Sequence, residues 1–100
     1  MYIAMNRFKI KPEFAEDFKE VWRTRNSYLD AVSGFKEFHL LQGETTEEFT
    51  LFASHALWES KEDFLAWTES DAFKKAHEGA GARRHMHVSH PNFEGFDVVL

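Results

Sequence analysis

Hydrophobic and polar residues alternate along the first ten positions of the chain. The even positions form a largely apolar row with one polar member, Asn6; the row consists of Tyr2, Ala4, Asn6, Phe8 and Ile10. A period of two is typical of a β-strand, because successive side chains point to opposite faces. The segment stops at Lys11-Pro12, where proline ends the ladder. We therefore predict a first strand from Tyr2 to Ile10.

The pattern then changes to helical spacing. Apolar positions recur every three or four residues with charged residues between them; this stripe contains Phe14, Phe18, Val21, Trp22, Arg25 and Leu29. Pro12 suits the first turn of a helix, and the acidic residues that follow it favour the positive end of the helix dipole. Ser33-Gly34 provides a terminator. The pattern predicts a helix from Pro12 to Asp30.

Two further strands are predicted, from Phe35 to Gln42 and from Phe49 to Leu57. The acidic, glycine-containing segment between them, residues 43–48, suits a hairpin connection, so we expect these strands to pair antiparallel. A final strand is predicted from Phe93 to Leu100.

A second helical region begins at Ser60, because serine followed three residues later by Asp63 has the spacing of a capping arrangement. Both Thr68 and Ser70 are residue types that cap helices, so we expect a kink or restart near Ser70. Beyond it, Phe73 and His77 align on one helix face. We expect Gly79 and Gly81 to end the helix and to begin a long loop through Asn92.

The order of elements is strand, helix, strand, strand, helix, strand. It predicts the α+β class and a ferredoxin-like βαββαβ fold, with an antiparallel sheet and two helices on one face. The other face carries Ile3 and Met5, and no segment remains to cover it. We therefore expect a homodimer. Residues 1–100 have room for one core and are expected to form a single domain.

Composition removes several classes of function. The chain has 12 Lys and Arg against 17 Asp and Glu, a net charge of −5, so a phosphate backbone or an anionic lipid would repel it. We expect no nucleic-acid partner. Zero cysteines exclude disulfides, iron–sulfur clusters and thiolate-ligated haem, which leaves His or carboxylate for any metal. The chain has neither a secretory leader nor a membrane-length apolar segment, so we expect no membrane association and a cytoplasmic location.

The most informative stretch runs from Trp67 to His77. An imidazole at a helix end, backed by aromatic rings, is a suitable axial ligand for haem iron. The alternative is a surface histidine favoured by the helix dipole. The alternative explanation for Asn6 is an amide whose hydrogen bonds are satisfied by nearby backbone. The alternative for Trp67 is that it fills the core against Phe64.

Asn6, Trp67 and His77, in a chain of this length, resemble the Asn, Trp and His triad of the IsdG-type haem-degrading monooxygenases. These belong to the antibiotic biosynthesis monooxygenase superfamily, whose members are dimeric α/β barrels of ferredoxin-like domains. The resemblance covers nearly the whole chain. Its general superfamily part is Leu57-Trp58-Glu59-Ser60 followed by Phe64, Trp67, Ser70, Phe73 and His77.

The resemblance implies a role for each residue of the triad. His77 would be the proximal ligand of the haem iron, with its second ring nitrogen held by a partner that the sequence does not identify. Asn6 would donate an amide hydrogen to oxygen on the distal side and direct it towards a meso carbon. Trp67 would press on the porphyrin and distort it.

The resemblance also implies a substrate and its contacts. Haem would be both substrate and oxygen-activating cofactor, and the remaining haem contacts would come from Phe64, Phe73 and Arg83. A guanidinium such as that of Arg83 or Arg84 pairs well with a propionate. The sequence has no Gly-rich phosphate-binding motif for a flavin or nicotinamide, so electrons would come from an external electron donor, either a reductase or a small reductant.

Two other functions remain open. One is a cofactor-free monooxygenase of aromatic polyketide or quinol substrates, and the other is a non-catalytic haem-binding protein. The pair His85 and His87 could bind zinc or copper, although a solvated loop is the alternative. The remaining large apolar residues are expected only to pack; they are Phe14, Phe18, Trp22, Phe35, Phe38, Phe52, Trp58, Phe96 and Val98.

Overall fold

The computed structural model describes residues 1–24, 29–77 and 80–100 of the chain. Its strands are β1 (Tyr2–Ile10), β2 (Phe35–Thr45), β3 (Thr50–Trp58) and β4 (Asn92–Asp97), and its α-helices are α1 (Ala15–Thr24), α2 (Lys61–Thr68) and α3 (Asp71–Ala76). Short 3₁₀ helices cover Pro12–Phe14, Leu29–Ala31 and Ala80–Met86.

The four strands form one antiparallel sheet in the order β2-β3-β1-β4. Within it, Asn6 of β1 lies opposite Ser54 of β3 on one side and Phe93 of β4 on the other. The α-helices pack on one face of the sheet, as predicted for the ferredoxin-like α+β fold. The prediction of the fold class is thus confirmed.

The two faces of the sheet differ as the alternation in β1 predicts. Phe8 and Ile10 are buried with Phe18 of α1. Tyr2 and Ala4 are buried in a second cluster, against which α2 packs. On the opposite, outer face, Ile3 and Met5 are only partly buried. None of the helices in the described ranges combines the length and apolar character needed to cross a membrane.

The first helix is shorter than the predicted helix from Pro12 to Asp30. Its first turn is a 3₁₀ helix, in which the amide of Phe14 donates to the carbonyl of Lys11, and α1 itself begins at Ala15. It is described as far as Thr24; Arg25 of the predicted stripe lies outside the described residues. Residues Leu29–Ala31 form a separate 3₁₀ turn.

Gly34 follows a 3₁₀ turn rather than an α-helix. It leads into β2, with φ at +84°, a conformation that favours glycine. A Cβ at this position would lie 2.3 Å from the carboxylate of Asp63, so the backbone at Gly34 packs closely against the start of α2.

The hairpin between β2 and β3 is tighter than predicted. Strand β2 continues to Thr45 through a register shift after Gln42, so only residues 46–49 form the turn. The hydroxyl of Thr46 accepts hydrogen bonds from the amides of Glu48 and Phe49 and stabilises this turn. Strand β3 consequently begins at Thr50 rather than at Phe49.

The C-terminal region needs two corrections. Residues Ala80–Met86, predicted as loop, form a 3₁₀ helix, and hydrogen bonds join Met86 and Val88 to the backbone at the end of β1. Gly79, the predicted start of that loop, lies outside the described residues. Strand β4 ends at Asp97, and Phe96 and Val98 are each 44% exposed rather than packed. Phe96 is exposed because it lies opposite Ile3 on the outer face.

Candidate active site

The second helical region is broken near Ser70, as predicted. The hydroxyl of Ser70 accepts a hydrogen bond from the amide of Phe73 (3.1 Å) and donates one to the carbonyl of Trp67 (2.6 Å). It therefore caps α3 and also binds the end of α2. Thr68, the other candidate cap, is the last residue of α2 and donates to the carbonyl of Leu65 instead. The predicted cap at Ser60, which accepts from the amide of Asp63, is present.

This break brings Trp67 and His77 together. On one continuous helix their separation of ten positions would leave the two side chains about 80° apart. With α3 restarted at Ser70, their ring centroids are 5.9 Å apart. The ring of Phe73 contacts both, at 4.8 Å from Trp67 and 4.0 Å from His77.

His77 is held by a backbone group. Its Nδ1 lies 2.8 Å from the carbonyl oxygen of Phe73. A carbonyl oxygen can only accept, so Nδ1 carries a proton, and in the neutral imidazole the lone pair is then on Nε2. This is the tautomer in which a neutral histidine binds a metal through Nε2, with the second nitrogen oriented by a carbonyl. Sequence patterns cannot identify this partner, because every residue carries a carbonyl.

A cavity of about 400 Å³ lies between the sheet and the helices, and we call it the Trp67 cavity. Its helix side includes Trp67, Phe73 and His77, and its sheet side includes Asn6 and Ser54. Phe64 stacks on Phe93 at one end of it, with the rings 5.5 Å apart and 4° from parallel. Trp67 is fixed from behind by Trp58, whose ring is 5.5 Å away.

A second cavity of about 580 Å³ adjoins the first, and we call it the Arg83 cavity. Asn6, Trp22 and His77 line both. The Arg83 cavity is also lined by Arg83 and Arg84 among mostly apolar side chains such as Phe8 and Phe18, with no acidic residue from the described part of the chain. Its chemistry suits an anionic group.

The residues predicted as a site are therefore assembled at these two cavities. Asn6, Phe64, Trp67, Phe73 and His77 line the Trp67 cavity, and Arg83 lines the other. The side chain of His77 is exposed on the surface as well as bordering both cavities.

Trp22 is a cavity residue that sequence reasoning assigned to packing alone. Its ring stacks on Phe38, with centroids 5.5 Å apart and planes 16° from parallel. It does pack against the core around Phe8, but it also lines both cavities. A tryptophan in an apolar helical stripe has the same pattern whether it fills a core or borders a cavity, so the sequence offers no signal that distinguishes them.

His87 is partly buried and lines the Arg83 cavity. Its ring packs against Phe8 and Phe18, and its Nδ1 is buried without a hydrogen-bond partner in the described structure. Burial lowers the pKa of His87, and the nearby charge of His90 lowers it further. His85 instead packs its ring against Phe14. Within the described ranges, no group of three or more His, Asp or Glu side chains could hold a metal ion.

Residues 1–79 match the sequence profile of the family described as antibiotic biosynthesis monooxygenase. The chain belongs to this family. It is 32% identical over 79 residues to a protein of Staphylococcus saprophyticus named heme oxygenase (staphylobilin-producing), an alignment that covers 79% of this chain and 75% of that one. It is 33% identical over 78 residues to a protein of the same name from Staphylococcus haemolyticus, covering 78% and 74% of the two chains.

The fold also matches the structure of the heme-degrader MhuD from Mycobacterium tuberculosis, which has two hemes bound in its active site. The TM-score is 0.78 at 25% identity, and the match covers 100% of this chain and 97% of MhuD. The resemblance to the IsdG-type branch of the family is confirmed by these relatives.

Proposed function

We propose that this protein is a haem-degrading monooxygenase, which binds haem through His77 and uses dioxygen and electrons from an external donor to open the porphyrin and release iron. The observation that carries the proposal is the hydrogen bond from His77 Nδ1 to the Phe73 carbonyl, because it orients the imidazole at the border of two adjoining cavities and makes Nε2 the metal-binding nitrogen of the neutral ring. The names of the relatives and of MhuD support the choice of substrate.

The donor set fits haem. A neutral imidazole is a common proximal ligand of haem iron, and a porphyrin needs a largely apolar, aromatic enclosure with a cationic region for its two propionates. The Trp67 cavity offers the aromatic walls, including Phe64 and Phe73, and the Arg83 cavity offers the cations. In this assignment Arg83 binds a propionate.

Asn6 and His77 approach the site from different layers. Asn6 belongs to the sheet and His77 to the end of α3, and both line the two cavities. We assign Asn6 to the distal side of the haem, where its amide donates a hydrogen bond to oxygen and directs it towards the ring. Asn6 is partly buried and lines both cavities, so its carboxamide can contact a molecule bound there.

Trp67 is suited to distorting a bound porphyrin because it cannot readily move away. Its ring is held edge-to-face by Phe73 and packs against the fully buried Trp58. We assign Trp67 the role of pressing on the ring plane, since distortion of the macrocycle alters its reactivity. Core packing and this role are compatible for the same side chain.

We also propose that the protein is a cytoplasmic homodimer joined through the outer face of the sheet. This face presents the partly buried Ile3 and Met5 together with Phe96 and Leu41, which are 44% and 42% exposed. Such a patch is unfavourable in water and is covered in a face-to-face dimer. Sedimentation velocity of the protein and of a Phe96→Lys variant measures this directly: we expect a dimer that the charge weakens, and a monomeric parent protein would contradict it.

The function is tested by adding hemin and then a reductant. We expect a saturable Soret band, which disappears with ascorbate and dioxygen while a ferrous chelator reports released iron. A stable haem complex that survives this treatment would identify a haem-binding protein without activity. Failure to bind hemin, together with dioxygen uptake on a dihydroxyaromatic substrate, would identify a cofactor-free oxygenase instead.

A further inference from the structure

Ser54 of β3 is a buried polar residue on the sheet side of the Trp67 cavity. It is 6% exposed, and Thr50 is the other polar residue buried to this degree in the described part of the chain. The hydroxyl of Thr50 has a partner, the hydroxyl of Thr45 at 3.0 Å. The hydroxyl of Ser54 does not belong to the fully buried polar atoms that lack a partner in the described part of the chain, and the residue lines the cavity, so we place this hydroxyl at the cavity surface.

Ser54 is the direct cross-strand neighbour of Asn6. The register of β1 and β3 pairs these two residues, so their side chains share a face with Cβ atoms about 4.5–5.5 Å apart. Both line the Trp67 cavity. Their neighbours there are apolar: Ala4 and Ala56 lie along the strands, and Phe93 lies on the other side of Asn6. The sheet thus presents two adjacent polar groups in an otherwise apolar region.

Polar groups that line a cavity normally bind protein atoms or ordered water. A buried water molecule needs space and two or more polar partners. The carboxamide of Asn6 and the hydroxyl of Ser54 supply two partners at a cavity of about 400 Å³. Two donors at this spacing can hold one small acceptor between them.

We propose that Ser54 is a second hydrogen-bond donor of the site, which together with Asn6 holds one small oxygen-containing molecule. In the ligand-free protein this molecule is water, and in turnover it is dioxygen. The turnover part rests on the proposed function. A single hydrogen bond lets a diatomic molecule swing about one atom, whereas two donors fix its direction. Ser54 therefore contributes to selecting the ring carbon that is attacked, without contributing to the binding of haem itself.

The ligand-free protein gives the first test. In ¹⁵N-labelled apoprotein we expect magnetisation transfer between the Asn6 side-chain amide protons and a long-lived water molecule. Ser54→Ala removes this signal, Ser54→Thr restores the hydroxyl and keeps it, and the exposed Ser33→Ala leaves it unchanged. Circular dichroism checks that each variant is folded. If the signal is absent in the parent protein, or persists in Ser54→Ala, then Asn6 and Ser54 do not hold a water molecule together and this part of the proposal is wrong.

The ferric haem complex gives the second test, with fluoride as the probe, because fluoride accepts hydrogen bonds from distal donors. We expect Ser54→Ala to weaken fluoride binding about tenfold while the dissociation constant of hemin is unchanged, and to alter the ratio of cleavage isomers. If hemin binds and fluoride affinity is unaffected, the inference about Ser54 fails and the proposed function stands. If hemin does not bind, the proposed function fails, and the apoprotein experiment alone decides the role of Ser54.

Discussion

The carbonyl oxygen of Phe73 accepts a hydrogen bond from Nδ1 of His77 at 2.8 Å, and the rings of the same two residues lie against each other with centroids 4.0 Å apart. One residue therefore fixes both the tautomer and the plane of the imidazole. This pair links the local helix geometry to the proposed haem chemistry, because an oriented imidazole with its lone pair on Nε2 is prepared for a metal.

Replacement of His77 by alanine tests this pair. We expect the dissociation constant of hemin to rise at least tenfold, since loss of groups that merely orient a ligand already costs about 10–100-fold. The Soret band should shift as the axial nitrogen is lost. His85→Ala is the matched control, because His85 packs against Phe14 and lines neither cavity. Equal hemin spectra in both variants would show that His77 is not the ligand.

Ser70→Ala tests the break between α2 and α3. The hydroxyl caps α3 and binds the carbonyl of Trp67, so its loss should cost about 1 kcal/mol of unfolding free energy. We also expect weaker hemin binding, because the cap holds the short helix that carries Phe73 and leads to His77. Urea denaturation measures the first effect. Thr24→Ala, which removes an exposed hydroxyl at the end of α1, is the control and should change stability less.

Gly34→Ala tests the close approach between β2 and α2. A side chain at φ +84° costs about 1–2 kcal/mol, and here the new Cβ would also displace the carboxylate of Asp63. We therefore expect a loss of stability of about 2 kcal/mol or more. Gly81→Ala is the control, since the nearest atom to its Cβ would be 4.0 Å away. Similar unfolding midpoints for the two variants would contradict this account.

His87 should make stability depend on pH. Burial holds its pKa in the folded protein below the ordinary value of 6.5, so the unfolded chain binds a proton first as the pH falls. Stability should therefore decrease from about pH 6.5 downward until the folded protein is protonated too. His87→Phe keeps an aromatic ring packed against Phe8 and Phe18 and removes the titratable imidazole. Between pH 7.5 and 5.5 we expect it to lose less stability than the parent protein; an equal loss would exclude His87 as a source.

Local signals predicted much of the fold. The capping serines at positions 60 and 70 predicted where α2 and α3 begin, because a cap depends on residues within three positions. The alternation in β1 likewise predicted which face carries Phe8 and which carries Ile3. The extent of the first helix was wrong, since apolar residues at helical spacing occur in 3₁₀ turns as well as in an α-helix.

The site was predicted less completely. Asn6 was conspicuous because it interrupts an apolar row, but Ser54 was not singled out, since its meaning comes from the strand register that places it opposite Asn6. Trp22 was missed for a similar reason: its place in the lining of both cavities depends on how α1 packs on the sheet. Both features depend on contacts between segments that are distant in the sequence, and no local spacing of residues predicts such contacts.

The central claim is that the haem ring itself is opened with oxygen from dioxygen. A single turnover of the hemin complex under ¹⁸O₂, followed by mass spectrometry of the extracted pigment, tests it most directly. We predict an iron-free, open-chain tetrapyrrole that carries ¹⁸O. Recovery of intact haem, or of a pigment without the label, would contradict the account.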